Sequence, residues 1–427
     1  MDPLRFDTFA ALRHRNFRLF YAGQSISLLG SWMQSVALSW LVLILTDSSF
    51  YLGLVGALQT LPILFFSFWG GMVADNRSKY HVLFFTQGSM MLLAAVLGAL
   101  VAWQSLPIWL LCVLVFLLGT AFAFDIPVRQ AFIVDLVGKP DLPNAIALNS
   151  TLFNGTRVMG PALAGILIAA VGMANCFFIN ALSYLAVLLA LFWMKLPPVE
   201  PQVRLGFRQA LRQLVDFLGE RRELRLVLLL LTSVSILGHS YYVLLPMLAR
   251  DALSAGPKGY GLLMGINGLG AFIGGLALAR RLRHRPPMPS FLGGLALFLA
   301  GLLALSLVQT YWLALAAIFF VGFGMVTQLS TANSLLQLNV PDNLRGRIMS
   351  LFGLIIMGSV PFGSMLYGTV AHYLGPARAM TVGSLAAAAV AGFILLRYPG
   401  LLRLDFSELK APPPAAAPPP SFPGASS

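Results

Sequence analysis

Twelve long apolar blocks constrain this chain more than any other feature of its sequence. They run over 17–45, 51–74, 80–103, 107–125, 142–171 and 174–194, and then over 224–249, 258–279, 288–308, 311–331, 346–372 and 376–397. A bilayer core about 30 Å thick is crossed by roughly 20 apolar residues in a helix. Backbone N–H and C=O groups in lipid must be satisfied within the segment, so blocks of this length are read as helices. A membrane barrel would show short alternating segments instead. Only 10% of the residues are charged and 58% are hydrophobic, whereas a soluble domain carries about 25% charged residues. The sequence therefore predicts an all-α membrane protein of twelve transmembrane helices. The charged first 18 residues precede a block too long for a leader core, so that block is read as the first helix and not as a cleaved signal.

The net charge of +13 would suggest nucleic acid in a soluble protein, but here the basic residues follow the loops. If both termini are cytoplasmic, 24 of the 28 Lys and Arg residues fall at the inner ends: the N-terminus, Arg77 and Lys79, Arg129 and Lys139, the central stretch, 280–285, Arg345 and Arg347, and the tail. A miscounted helix would invert every later loop, so the asymmetry supports an even count with both ends inside a bacterial inner membrane. The expected partners are the bilayer and a small-molecule substrate, with no nucleic acid, and the chain is expected to be monomeric. Cys112 and Cys176 lie within apolar blocks and are read as buried side chains without a disulfide.

The blocks repeat. Asp141-Leu142-Pro143-Asn144 before block 5 answers to Asp342-Asn343-Leu344-Arg345 before block 11. Gly70-Gly71 late in block 2 answers to Gly274-Gly275 late in block 8. His14-Arg15-Asn16-Phe17-Arg18 before block 1 answers to Arg221-Arg222-Glu223-Leu224-Arg225 before block 7. Residues 1–194 and 224–397 are thus two pseudo-symmetric six-helix halves joined by a basic linker, 195–223, an arrangement that places a site between the halves. In the linker, Phe207, Leu211, Leu214 and Leu218 share one helical face, as an interfacial helix would require. The Pro/Ala-rich tail, 398–427, reads as disordered.

Gly71-Met72-Val73-Ala74-Asp75-Asn76-Arg77-Ser78-Lys79 stands between blocks 2 and 3. It resembles the loop 2–3 motif of the major facilitator superfamily at Gly71, Asp75 and Lys79. It departs from that motif at Asn76, Ser78 and Tyr80. Gly160-Pro161-Ala162-Leu163-Ala164-Gly165 in block 5 is similar to the superfamily's helix-5 exporter motif, with Ala164 in place of a glycine. Phe17 to Gln34 and Phe124 to Arg157 resemble the branch of enterobactin-exporter and macrolide-efflux-type permeases. The resemblance implies the major facilitator fold and export of a small organic molecule by proton antiport. No cofactor is expected, and the proton gradient is the expected energy source. The resemblance also implies a conformational gate of Gly71, Asp75, Arg77 and Lys79 with Asp125, Arg129, Gly160, Pro161, Gly165 and Arg345, and a cavity lined by helices 1, 4, 7 and 10.

Arg157 falls mid-span in block 5, where a charge costs at least about 2.5–3.5 kcal/mol. Arginine cannot shed its proton, so the side chain should face a cavity or pair within the bundle; Asn154, a carbonyl or an anionic substrate are its candidate partners. His239, mid-way along block 7, could carry a proton or stand as a neutral hydrogen-bonded group. Asp125 and Asp135 are placed near the inner end of block 4 and expected to pair with Arg129, Arg77 or Arg345, while Asp47 at the outer end of block 1 could be a solvated cap. Further cavity candidates are Trp32, Gln34, Phe116, Tyr241, Phe319 and Phe323, aromatics with sparse polar groups that suit an amphipathic ligand. No mid-depth carboxylate emerges. Enzyme chemistry lacks its parts: the five histidines are scattered, and neither G-x-S-x-G nor a Walker A sequence occurs. A lysophospholipid flippase of the same fold, and less so a channel or membrane assembly protein, remain competing readings.

Overall fold

The computed structural model describes residues 9–194, 216–281 and 287–403, with Phe68, Asp75, Asp342, Asn343, Leu402 and Arg403 described by backbone alone. The linker residues Phe207, Leu211 and Leu214 and the tail beyond 403 lie outside them. Within the described residues, eleven helices are long and apolar enough to cross a bilayer. One of them, Ile108–Val171, has 64 residues. That is about 96 Å of helix, some three times the hydrocarbon thickness. It is broken at Gly138, whose φ of 70° and ψ of 175° suit glycine and strain other residues. Pro140 follows, with no N–H to give to a preceding turn. Divided at Gly138, the described residues hold twelve long helical segments: α1 Arg15–Thr46, α2 Ser49–Asn76, α3 Lys79–Ala102, α4 108–137, α5 139–171, α6 Met173–Phe192, α7 Arg222–Ala252, α8 Pro257–Arg281, α9 Pro287–Leu307, α10 Tyr311–Leu338, α11 Asp342–Leu374 and α12 Pro376–Arg397. Each runs antiparallel to the next, so α1, α2, α6, α7 and α12 all have an end at one face of the bundle, here the linker end. The far end carries the short turns. Exposed Trp103, Trp109, Trp312 and Tyr373 ring the far end, and Trp69 and Trp193 the linker end, as interfacial aromatics do.

One close helix approach recurs in α1–α6 and in α7–α12, referred to below as the two halves. A Cβ on Gly70 of α2 would stand 2.6 Å from the Ala123 carbonyl of α4; a Cβ on Gly274 of α8 would stand 2.7 Å from the Phe323 carbonyl of α10. The repeated Gly-Gly pair therefore marks the same close helix approach in each half. The approach is made by the first glycine of each pair: a Cβ on Gly71 meets nothing within 4 Å.

Two segments depart from the apolar blocks. The fourth block ends by hydropathy at Asp125, but α4 continues for twelve residues to Val137. Asp125 is therefore buried inside the helix, about 18 Å from its linker end, and Arg129 is helical too, neither being a loop residue. Their charges end the hydropathy signal without ending the helix, because each is satisfied inside the bundle. The seventh block is not one regular helix. Its α-helical part, Arg222–Leu237, gives way at Gly238 to a tighter 3-10 stretch, His239–Leu244. Pro246 lies four residues beyond Tyr242 and cannot donate to its carbonyl, so the α ladder is already interrupted there. The carbonyl of Leu237, freed by the break, accepts a 2.6 Å hydrogen bond from the Tyr367 hydroxyl of α11. Gly383 of α12 makes room for that phenol; a Cβ there would stand 2.1 Å from its oxygen.

Candidate functional site between the two halves

The halves meet through α2 against α11 and α5 against α8. On α2, Gly53 and Gly56 face Ser364 and Gly368 of α11, with backbone atoms within 3 Å of a Cβ placed on Gly53. On α8, Gly261, Gly265 and Gly268 face Pro161, Val158 and Arg157 of α5, and Gly165 of α5 returns the contact onto Pro257 and Gly261. All these positions lie between mid-span and the far end. Polar and ring contacts close that end as well: Arg250 bonds Asp47, Ser49 donates to the Gly368 carbonyl at 3.1 Å, and Trp40 stacks on Tyr260 at 5.9 Å. Asp47 is thus paired across the halves rather than being only a solvated cap. Toward the linker end, glycines on the same interface helices (Gly71 of α2, Gly155 of α5, Gly346 and Gly353 of α11) meet nothing within 4 Å. We infer from these contacts a cleft between the halves, closed at the far end and open at the linker end.

Arg157 lies at the base of this cleft. Its Nη2 donates to the Tyr242 hydroxyl at 2.6 Å, a bond from the first half to the second. Tyr242 donates in turn to Asn267 Oδ1. Asn267, 1% exposed, donates through Nδ2 to the Tyr241 hydroxyl at 2.8 Å and to the Ile318 carbonyl at 3.2 Å. The rings of Tyr241 and Tyr242 stack with centroids 4.5 Å apart. The 3-10 stretch brings these two neighbouring side chains to one network. Deeper in the second half, His239 Nε2 pairs with Gln328 Nε2 at 2.7 Å and its Nδ1 lies 3.4 Å from Ser235 Oγ. Arg157, His239 and Tyr241 are thus gathered by α5, α7, α8 and α10. Tyr241 is fully buried behind Tyr242, so the ring at the guanidinium is the one the sequence reading passed over.

The other candidates disperse. Gln34 is 4% exposed and accepts from Asn180 Nδ2 of α6 at 2.6 Å, which places it in the packing of the first half and off the cleft. Asn154 donates to the Ser150 carbonyl of its own helix. Trp32 lies against α5, its ring 6.0 Å from Phe153. A Cβ on Gly160 would stand 2.5 Å from Trp32 Cβ. Gly160 therefore serves α1, and Gly165 serves α8 across the interface, with Pro161 between them. Phe319 and Phe323 are half-buried neighbours on α10, their backbone pressed on Gly270 and Gly274 of α8, and Phe116 is half-buried on α4.

A second polar cluster lies wholly in the first half. Asp125 Oδ1 accepts from Thr86 Oγ1 at 3.0 Å and Gln87 Nε2 at 2.8 Å of α3. Its Oδ2 is 3.4 Å from Arg129 Nε, one turn on, and Arg129 also donates to Gln24 of α1 at 3.1 Å. This is the mid-depth carboxylate missing from the sequence reading. At the linker end, Lys79 pairs with Asp135 at 2.7 Å, where Arg129, Arg77 or Arg345 had been expected. Arg77 caps α2 and is exposed, and Arg345 Nε donates to the Gln337 carbonyl at 3.2 Å. The side chain of Asp75 lies outside the described residues. Tyr242, Asn267, Gln328, Gln24 and Gln87 were the residues missed; each is a polar side chain within an apolar span, the signal that would have found them.

The profile of a family of transmembrane secretion effectors, within the major facilitator superfamily, matches residues 6–417. The chain belongs to this family. It is 27% identical over 369 residues to the staphyloferrin A transporter of Staphylococcus aureus, covering 86% of this chain and 92% of that protein. It is 27% identical over 414 residues to the enterobactin exporter EntS of Salmonella typhimurium, covering 93% and 94%. The macrolide efflux protein A of Streptococcus pyogenes is 21% identical over 370 residues, covering 84% and 90%. Among solved structures, a bacterial homologue of the human lysosomal transporter Spinster superposes with a TM-score of 0.75 at 14% identity, over 91% of this chain and 98% of that one. The nucleoside transporter NupG superposes with 0.71 at 12%, over 91% and 100%. These likenesses show the major facilitator fold. The protein is a multi-pass membrane protein of a transporter family.

Proposed function

We propose that this chain is a secondary active transporter that exports a small organic molecule by alternating access, coupled to proton entry. The linker end is cytoplasmic, where the Lys and Arg residues gather, and the membrane is the bacterial inner membrane. The protein works as a monomer. The observation that carries the reading is the cleft: sealed at the far end by glycine-backed contacts of α2 with α11 and α5 with α8, open at the linker end, and floored by the Arg157–Tyr242–Asn267 network. A substrate loads from the cytoplasm or inner leaflet, and rocking of the halves about this floor exposes it to the far side. The relatives named for a siderophore or a macrolide support a substrate of that size and amphipathic character.

Asp125 supports proton coupling. It is fully buried within α4, held by Thr86, Gln87 and Arg129, and a carboxylate can lose its charge on protonation where Arg157 cannot. His239, paired with Gln328 in the second half, is the other candidate proton carrier.

The test is efflux from liposomes loaded with siderophores, macrolides or lysolipids, with and without an inward-directed proton gradient. Gradient-dependent loss of a soluble ligand supports the reading. Lipid movement indifferent to the gradient refutes it in favour of a lipid flippase.

A further inference from the structure

We propose that Arg157 is the anchor for a carboxylate on the transported molecule, and that this anion takes the guanidinium away from Tyr242. The inference rests on the reading of the cleft as a substrate site and names the chemistry that site selects. Three observations lead to it.

The network that holds Arg157 is built of donors feeding neutral acceptors. Arg157 donates to Tyr242, Tyr242 to Asn267, and Asn267 to the Tyr241 hydroxyl and the Ile318 carbonyl. Every step moves hydrogen-bond capacity away from the guanidinium, and no step supplies negative charge. Among the described residues, no carboxylate lies within ion-pair distance of Arg157, whereas Arg129 and Arg250, the other arginines within spans that contact the opposing charge, each have an aspartate. A guanidinium has five N–H donors in a planar fork, and one of them is occupied by Tyr242. The remainder match a carboxylate held at two points, a bond about twice as strong as one to a neutral oxygen.

The position fits a ligand. The bond joins the two halves beside the backbone contact of Gly268 with Arg157. Toward the linker end, Gly155 of the same helix meets nothing within 4 Å. A group that displaces Tyr242 breaks a tie between the halves at the moment of loading, so recognition and release of the inward-open state become one event.

The surroundings give the rest of the ligand. Phe153 precedes Arg157 by four residues and so shares its helical face one turn toward the open end; it is 45% exposed, and its ring meets Trp32. An aromatic pair beside a planar guanidinium suits an aryl carboxylate, the ring against Phe153 and Trp32 and the acid on Arg157.

Salicylate and salicylamide are nearly isosteric and differ in charge, so they isolate the anion. Displacement of radiolabelled salicylate is measured on the full chain in nanodiscs without a proton gradient. Binding is therefore scored independently of transport, and failure of the efflux assay would leave this measurement standing. Salicylate is expected to compete at a concentration at least about tenfold below salicylamide, a difference of about 1.4 kcal/mol. Arg157→Gln is expected to erase that preference. Arg157→Lys, which keeps a point charge and loses the fork, keeps a preference that is several-fold weaker and serves if the glutamine variant does not fold. Tyr242→Phe removes the competitor for the guanidinium, and salicylate is expected to bind several-fold tighter. The proposal is overturned if salicylamide competes equally, if the folded wild type binds no salicylate at millimolar concentration, or if Tyr242→Phe weakens binding, as a purely structural tie between the halves would require.

Discussion

Adding one methyl group to each of two facing glycines should open the far gate. Gly53 of α2 and Gly368 of α11 cross so closely that a Cβ on Gly53 would stand 2.5 Å from the Ser364 carbonyl and 2.8 Å from Gly368 Cα, and a Cβ on Gly368 would stand 2.7 Å from Gly53 Cα. Carbon contacts are comfortable at about 3.5 Å or more, so α2 and α11 must separate by about 1 Å. Backbone atoms cannot rotate aside as a side chain does. Overpacking of this kind costs about 1–3 kcal/mol, a factor of roughly 5–150 in the equilibrium between closed and open far gates. Alanine also strengthens each helix, but equally in both conformers, so that gain leaves the equilibrium untouched. The assay is a double electron–electron resonance distance between spin labels on Ser105→Cys and Thr310→Cys, on turns of opposite halves at the far end, in a Cys112→Ser, Cys176→Ala background. Gly53→Ala with Gly368→Ala is expected to add a longer distance to the distribution. Gly71→Ala, where a Cβ meets nothing, is expected to leave it unchanged. A folded double variant with the wild-type distribution would refute the assignment of the far gate to this crossing.

Other outcomes follow from the same contacts. Asp125→Asn retains an acceptor for Thr86 and Gln87 but loses the charge facing Arg129; gradient-driven efflux should stop while gradient-independent exchange persists, and wild-type gradient-driven rates would remove Asp125 from the coupling role. Arg250→Ala breaks the Asp47 tie, but the pair is 35% and 74% exposed in its side chains and its worth is at most about 1 kcal/mol. The ratio of open to closed far gates should therefore rise by no more than about fivefold, and less in high salt. At the linker end the Arg222 guanidinium lies 4.4 Å from the Tyr398 ring centroid and, with Arg397, lowers the phenol's pKa from the ordinary value of 10.0. A folded pKa below the unfolded one stabilises the native state above the unfolded pKa, and the benefit is lost as the pH falls through the folded pKa. Ultraviolet titration should show phenolate absorbance below pH 10 that disappears in Tyr398→Phe.

The apolar blocks determined the class of structure, because a span of about 20 apolar residues has few other ways to satisfy its backbone in lipid. The basic residues gave the expected orientation of insertion, and the paired Gly-Gly sequences pointed to a repeat; in the structure Gly70 and Gly274 meet equivalent carbonyls. Hydropathy failed where charge is satisfied by neighbours distant in sequence. Asp125 and Arg129 read as the end of a span, yet Thr86, Gln87 and Gln24 from other helices keep them inside one. It failed again at α7, where a uniform apolar block hides the break between Gly238 and Pro246 that presents Tyr242 to Arg157. Arg157 was legible alone, since a permanent charge in a span must find a purpose. Its partners were not, because a hydroxyl and an amide from α7 and α8 carry no local pattern that ties them to α5. Which residues share the cleft, and which end of it is open, depend on how two six-helix bodies lean on each other, and that is set by glycine contacts between residues hundreds of positions apart, such as Gly53 and Gly368.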